Sequence, residues 1–170
     1  PELSAEQRAR VETLPPEQGF TVRVNDDSYQ TPIGLSDEAV KRRPALSGLR
    51  YQYDVPFLNK RPKDAVLVLG AGTGNDVAAA LRAGAKSVDA VEIDPEILRL
   101  GRKHPDRPYD DPRVSVFLND ARNFLSRTDR RYDAIVFGLL DSHVLLSSQS
   151  SIRLDSFVFT RESFELARRH

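Results

Sequence analysis

Residues 66–77 read VLVLGAGTGNDV, an apolar run that leads directly into a glycine-rich turn and then into a helical pattern. The turn consists of Gly70, Ala71, Gly72, Thr73 and Gly74. Glycines at this point let a ligand approach the backbone closely, and the N–H groups that open a helix favour a polar or anionic group. The spacing is Gly-x-Gly-x-Gly, with Asn75 where a dinucleotide-binding loop has its third glycine. The stretch therefore predicts a nucleoside-type cofactor site and argues against NAD.

From Ala65 onward, short apolar runs alternate with helical segments, which is the pattern of βαβ units in a parallel sheet. We predict strands at residues 65–69, 87–92, 113–118 and 133–138. Helices fit at residues 75–83, 95–103, 120–127 and 161–169. The predicted fold class is α/β, with a Rossmann-like, doubly wound and mostly parallel sheet.

Residues 1–63 read as an N-terminal extension, and residues 64–170 as the Rossmann-like domain. The extension shows a capped helix at residues 4–13, a strand at residues 20–24 followed by turn residues 25–28, and a second helix that Ser36 caps. The chain begins at Pro1, has no methionine and ends within a helical pattern. We therefore expect a piece of a longer protein.

The composition limits the kinds of partner. The 25 basic and 25 acidic residues cancel, so no net charge draws the chain toward nucleic acid. The longest apolar run, residues 134–140, is far too short to cross a membrane. We expect a small-molecule substrate, no metal and a cytoplasmic location, with the soluble domain of a membrane-attached protein as the alternative.

An acidic residue follows the glycine turn at the distance that a nucleoside site requires. Glu92 lies 22 residues beyond Gly70, at the end of the second predicted strand, where a carboxylate can accept hydrogen bonds from both ribose hydroxyls. Ile93 follows it as a further cofactor-binding candidate. For Asp94, capping of the helix that starts at Pro95 is the favoured role.

Polar residues also follow the third and fourth predicted strands. Asp120, with Ala121, is placed to accept from an adenine amino group or to cap the next helix. After the fourth strand, Asp141 and His143 are the acid–base candidates, although a surface histidine is at least as good an interpretation of His143. A long loop follows them and suggests a lid.

Several motifs together resemble the polyamine aminopropyltransferases, the spermidine synthase family, within the class I S-adenosylmethionine-dependent methyltransferase superfamily. The resemblance rests on the glycine turn and on VEID at 91–94, DPRV at 111–114, NDAR at 119–122 and RYDAI at 131–135. It implies a seven-stranded sheet, of which this chain would lack the final C-terminal strands, and S-adenosylmethionine or its decarboxylated form as cofactor. It also implies that Gln30, Tyr53 and Asp141 lie on the substrate side, with a polyamine or another amine as substrate.

Two departures from that family shape the functional expectation. Thr73 stands where aminopropyltransferases carry an acid that suits an amine, and Gly138 stands where they carry the first aspartate after the fourth strand. The leading expectation is methyl transfer from S-adenosylmethionine to a small acceptor. The alternatives are aminopropyl transfer and a cofactor-binding module without catalysis. The oligomeric state is open, and a homodimer is one arrangement.

Overall fold

The computed structural model describes residues 19–24, 27–59, 61–138 and 159–170. In this part of the chain the strands are β1 (Val22–Val24), β2 (Asp27–Gln30), β3 (Ala65–Leu69), β4 (Ser87–Glu92), β5 (Val114–Leu118) and β6 (Ala134–Phe137). The helices are α1 (Asp37–Arg42), α2 (Ser47–Asp54), α3 (Asn75–Arg82), α4 (Pro95–Gly101), α5 (Ala121–Arg127) and α6 (Arg161–Ala167). Short 3₁₀ turns lie at Pro44–Leu46, Val55–Phe57 and Pro108–Asp110.

The central sheet has four parallel strands in the order β5-β4-β3-β6. Leu67 in β3 pairs with Asp89 in β4 on one side and with Ile135 in β6 on the other. At the far end of the sheet, Glu92 pairs with Leu118. The carboxyl ends of the strands therefore meet along one edge, which is where open parallel sheets bind their ligands.

Helices cover both faces of β3, and this explains its continuous apolar sequence. On one face Val66 and Val68 pack with Val77 of α3. On the other face Leu67 and Leu69 pack in a cluster with Leu125 of α5. The residues from Val66 to Leu69 are at most 1% exposed.

The predicted α/β fold class is confirmed. The first two predicted strands have the bounds that the sequence indicated, and β5 and β6 are shorter than predicted by one residue and two residues. The predicted helices at 75–83, 95–103, 120–127 and 161–169 are all present, and each bound differs by two residues or fewer. The division between residues 63 and 64 stays a prediction, and the helix expected at 4–13 lies outside the described residues.

Two elements of the N-terminal region differ from the sequence expectation. The turn predicted at 25–28 was too long, because β2 begins at Asp27 and pairs antiparallel with β1, with Arg23 opposite Ser28. Helix α2 was not predicted, because the aromatic residues of that stretch do not follow a helical period. The predicted cap is confirmed, since Ser36 Oγ accepts from Ala39 N.

The N-terminal region packs onto the carboxyl-end edge of the sheet through polar contacts and a small apolar cluster. The backbone N–H of the buried Leu35 donates to Asp106 Oδ2 over 2.7 Å. Phe20 and Val22 pack against Ile97 of α4. These contacts bring the end of β2 and helix α2 beside the glycine turn.

Candidate functional site

The glycine turn, residues 70–74, has a backbone that only glycine adopts readily. Gly72 and Gly74 have φ angles of 57° and 105°, in the left-handed region. A Cβ atom on Gly72 would lie 2.6 Å from Gln30 Nε2, and one on Gly74 would lie 2.8 Å from Pro108 Cγ. The turn is therefore closely packed between the N-terminal region and the segment before β5.

Glu92 is joined directly to this turn. Its carboxylate is 6% exposed, and Oε2 accepts from Gly72 N over 2.8 Å. Its other oxygen accepts from Ile93 N at 2.9 Å and from Asp94 N at 3.0 Å. A carboxylate offers about four acceptor positions, so these three donors leave one for a ligand hydroxyl. The structure brings the predicted pair of glycine turn and acid into contact.

An apolar surface lies next to Glu92 at the carboxyl ends of β4 and β5. Ile93 is 65% exposed and Leu118 is 58% exposed. Exposed large apolar residues at a strand end suit the flat face of an aromatic ring. Ile93 was a sequence candidate, whereas Leu118 was not, because it reads as an ordinary strand residue.

Two acidic candidates cap helices. Asp94 Oδ1 accepts from Glu96 N and Ile97 N, so it caps α4 as favoured from the sequence. Asp120 Oδ1 accepts from Asn123 N over 2.9 Å and caps α5. Ala121, beside Asp120, is buried in the core on that face of the sheet. The cap is thus present at Asp120, and an adenine contact there stays a prediction.

A pocket of about 260 Å³ opens between the glycine turn and the N-terminal region. Both Gln30 and Tyr53 line it, together with Leu49 and the turn itself. Gln30 Oε1 accepts from Thr73 N over 2.8 Å, and Tyr53 Oη accepts from Asn75 Nδ2 over 2.9 Å. The two residues that the resemblance placed on the substrate side therefore lie together against the turn. We call this cavity the turn pocket.

Asn75 joins three parts of the chain and was missed by the sequence reasoning. Its Nδ2 donates to the Thr31 carbonyl oxygen as well as to Tyr53. Its Oδ1 accepts from Ile33 N and lies 2.9 Å from His104 Nε2. These partners are far apart in sequence, so no local pattern indicates that they meet. The available signal was Asn75 itself, a polar residue at the position where a dinucleotide-binding loop has its third glycine.

His104 is a buried positioning residue in the same network. Its Nδ1 accepts from Asp106 N, so Nε2 carries the proton and donates to Asn75. Burial, and secondarily the charge of Arg82, lower the pKa of His104 to about 3. The imidazole therefore stays neutral near pH 7 and holds the segment before β5 against α3.

Tyr109 supports the turn from the side opposite Gln30. Its hydroxyl donates to the Gly72 carbonyl oxygen over 2.7 Å, and its ring lies against Gly74 and Gly101. Burial raises the pKa of Tyr109, and the negative charges of Glu92 and Asp76 raise it further. The phenol is therefore a fixed donor that orients the turn.

The candidate catalytic residues Asp141 and His143 lie outside the described residues. Gly138 is described, and the reason for glycine there is steric. A Cβ atom at this position would collide with the carbonyl oxygen of Gly70. The end of β6 thus approaches the glycine turn too closely for a side chain at position 138.

The described ranges contain neither a membrane-spanning helix nor a group of metal ligands. No helix among these residues is long and apolar enough to cross a membrane. Within the same residues, no three His, Asp or Glu side chains are grouped so that they could hold a metal ion.

Comparisons with protein families and curated sequences agree with one another. The family model described as the spermine/spermidine synthase domain matches residues 52–170. A polyamine aminopropyltransferase of Korarchaeum cryptofilum is 26% identical over 117 residues, which is 66% of this chain and 34% of that protein. One from Sulfolobus acidocaldarius is 30% identical over 112 residues, 63% of this chain and 35% of the relative. The chain thus spans about a third of the length of these curated relatives.

Solved structures show the same fold. A spermidine synthase in complex with the transition state analogue AdoDATO superimposes with a TM-score of 0.63 at 18% identity. The match covers 90% of this chain and 47% of the spermidine synthase. The spermidine synthase of Thermotoga maritima gives a TM-score of 0.60 at 18% identity, over 90% of this chain and 46% of the other.

Proposed function

The chain belongs to the spermine/spermidine synthase family, and from this we propose that it transfers an aminopropyl group from decarboxylated S-adenosylmethionine to an amine acceptor. One observation carries the proposal. The glycine turn contacts Glu92 on one side, and Gln30 and the pocket that Tyr53 lines on the other. A nucleoside site and an amine site would thus share one short stretch of backbone.

We assign the nucleoside part of the ligand to Glu92 and the apolar surface beside it. The free acceptor position of the Glu92 carboxylate would receive a ribose hydroxyl. Ile93 and Leu118 would lie against the adenine ring, and Asp120 would accept from its amino group while it caps α5. The described acceptors and apolar surfaces therefore fit this cofactor.

The reaction needs little from the protein beyond placement and one proton acceptor. The acceptor amine, an ammonium ion near neutral pH, first loses one proton, which frees the lone pair of its nitrogen. That nitrogen then forms a bond to the aminopropyl carbon next to the sulfonium, the C–S bond breaks, and its electron pair stays on sulfur in the neutral thioether 5′-methylthioadenosine. We propose Asp141 for that proton, with His143 as the alternative. Gln30 and Tyr53 would hold the amine in line with the sulfonium.

Methyl transfer, the leading expectation from the sequence, has less support than aminopropyl transfer. That expectation required turn N–H groups that are free to receive a methionine carboxylate. In the structure Gly72 N donates to Glu92 and Thr73 N donates to Gln30. The curated relatives at 26–33% identity are polyamine aminopropyltransferases. Both observations favour aminopropyl transfer, which was an alternative in the sequence analysis.

Calorimetric titration of the purified protein with S-adenosylmethionine and with its decarboxylated form tests the proposal. We expect the decarboxylated form to bind at least about tenfold more tightly, a difference of about 1.4 kcal/mol. Glu92→Gln should weaken both ligands. Glu96→Gln, which removes the same charge from an exposed position of α4, should weaken neither. Tighter binding of S-adenosylmethionine would return the assignment to methyl transfer, and binding of neither ligand would overturn the cofactor site.

A further inference from the structure

Asp76 is the charged member of the turn pocket. Among the described residues that line this cavity, the others are neutral. Asp76 is the second residue of α3, and burial raises the pKa of its carboxyl group to about 6, against an opposing effect of the Arg82 charge. The carboxylate is therefore mostly ionised at pH 7 although it lies in a poorly hydrated place.

No described residue neutralises this carboxylate by contact. Arg82, whose charge acts on it from a distance, pairs with Asp54 over 2.7 Å and faces Asp106 at 3.9 Å. No hydrogen bond from a described residue to the Asp76 side chain is present, whereas Asp94 and Asp120 each cap a helix. Asp76 is partly exposed, and burial still disfavours its charged form. Its position beside the cavity, without a charge partner in contact among the described residues, therefore indicates a ligand that supplies the missing charge.

The surroundings of Asp76 are suited to a cation and unsuited to an anion. Its charge raises the pKa of Tyr53 as well as that of Tyr109, and in both cases the effect adds to that of burial. A carboxylate in a cavity that Tyr53 and Gln30 also line forms an environment that stabilises an ammonium group through charge and hydrogen bonds. The N–H groups of Gly72 and Thr73, which would receive an anion, already donate to Glu92 and Gln30.

We infer that Asp76 is the specificity-determining residue through which the turn pocket selects an alkylammonium group over a carboxylate. The inference rests on the proposed function and names the part of the ligand that this cavity takes. The ammonium comes either from the aminopropyl chain of the cofactor or from the amine acceptor. In this account Asp76, three residues after Thr73 in the chain, supplies the acid that is absent at Thr73.

The test compares wild type with Asp76→Asn, which keeps the shape of the side chain and removes its charge. Calorimetry gives the affinities for decarboxylated S-adenosylmethionine, S-adenosylmethionine and 1,4-diaminobutane. We expect the variant to lose about tenfold in affinity for at least one of the two ammonium ligands. S-adenosylmethionine also carries an ammonium group, next to its carboxylate. Removal of the Asp76 charge relieves the repulsion of that carboxylate, so its affinity should fall less than that of the decarboxylated form, or not at all. Loss for the decarboxylated cofactor assigns the ammonium to the cofactor, and loss for the diamine alone assigns it to the acceptor.

Two controls separate this inference from the proposed function. Glu96→Gln lowers the net negative charge equally and should leave all three affinities unchanged. Thermal unfolding should show that Asp76→Asn is folded and at least as stable as wild type. Wild-type affinities of the variant for both ammonium ligands would overturn the role of Asp76 and leave aminopropyl transfer standing. If wild type itself binds neither ammonium ligand, both the inference and the proposed function are wrong.

Discussion

At the scale of single residues, Asp76 of the proposed site carries a cost to the fold. Asp76 is ionised and poorly hydrated, and its pKa of about 6 in the fold compares with 3.8 for an ordinary aspartate. The folded state therefore favours the protonated carboxyl group. The contribution of this residue to the free energy of unfolding is fully present below pH 3.8 and is lost as the pH rises through about 6.

Asp76→Asn should consequently stabilise the unliganded protein, and more so at higher pH. The free energy of unfolding of the variant should exceed that of wild type by about 1 kcal/mol at pH 4.5 and by about 3 kcal/mol at pH 7.5. The reason is that the substitution removes the cost of ionising the carboxyl group in the folded state. Urea unfolding of both proteins at the two pH values measures this difference in free energy. An advantage that is equal at both values, or a variant less stable than wild type at pH 7.5, would contradict the position assigned to this carboxylate.

At the scale of elements, the N-terminal region and the parallel sheet are joined at the start of α3. Asn75 makes four polar contacts there, with Thr31, Ile33, Tyr53 and His104. These contacts hold the end of β2 and helix α2 against the glycine turn. The shape of the turn pocket therefore depends on Asn75, although the pocket walls belong to separate elements.

Asn75→Ala should destabilise the protein by about 2–4 kcal/mol, because it leaves several buried polar groups without partners. The amide proton of Ile33, which donates to Asn75, should exchange with solvent faster. Asn123→Ala is the matched control: its side chain donates over 2.7 Å to Asn119 at the start of α5, and its loss should cost less than about 1 kcal/mol. Unchanged exchange at Ile33 would show that the two parts are held together by other contacts.

The elements also show what the sequence could and could not predict. The strands of the parallel sheet were predictable because each is a short apolar run between turn residues, as Ala65–Leu69 is. Strand β2 was not, because Asp27–Gln30 is polar and is held by backbone pairing to β1. The place of Glu92 at the end of β4 was predictable from its spacing after the turn, whereas its hydrogen bond with Gly72 N was not. Tyr109 and His104 were not, because their roles depend on contacts with distant residues.

At the scale of the whole molecule, the proposed site has two halves at the carboxyl-end edge of the sheet. Glu92, Ile93 and Leu118 lie on the side of β4 and β5, where the nucleoside is expected. Gln30, Tyr53 and Asp76 lie on the side of the N-terminal region, where the amine is expected. The glycine turn separates the halves, and Gly138 at the end of β6 approaches it closely. The bond to be broken would then lie above the turn.

The identity of the thioether product tests this arrangement most directly. The purified protein is incubated with 1,4-diaminobutane and either decarboxylated S-adenosylmethionine or S-adenosylmethionine, and the nucleosides are separated by chromatography with mass detection. We predict 5′-methylthioadenosine from the decarboxylated cofactor, in an amount equal to the aminopropylated amine. The account would be contradicted by release of S-adenosylhomocysteine from S-adenosylmethionine, or by the absence of any thioether product.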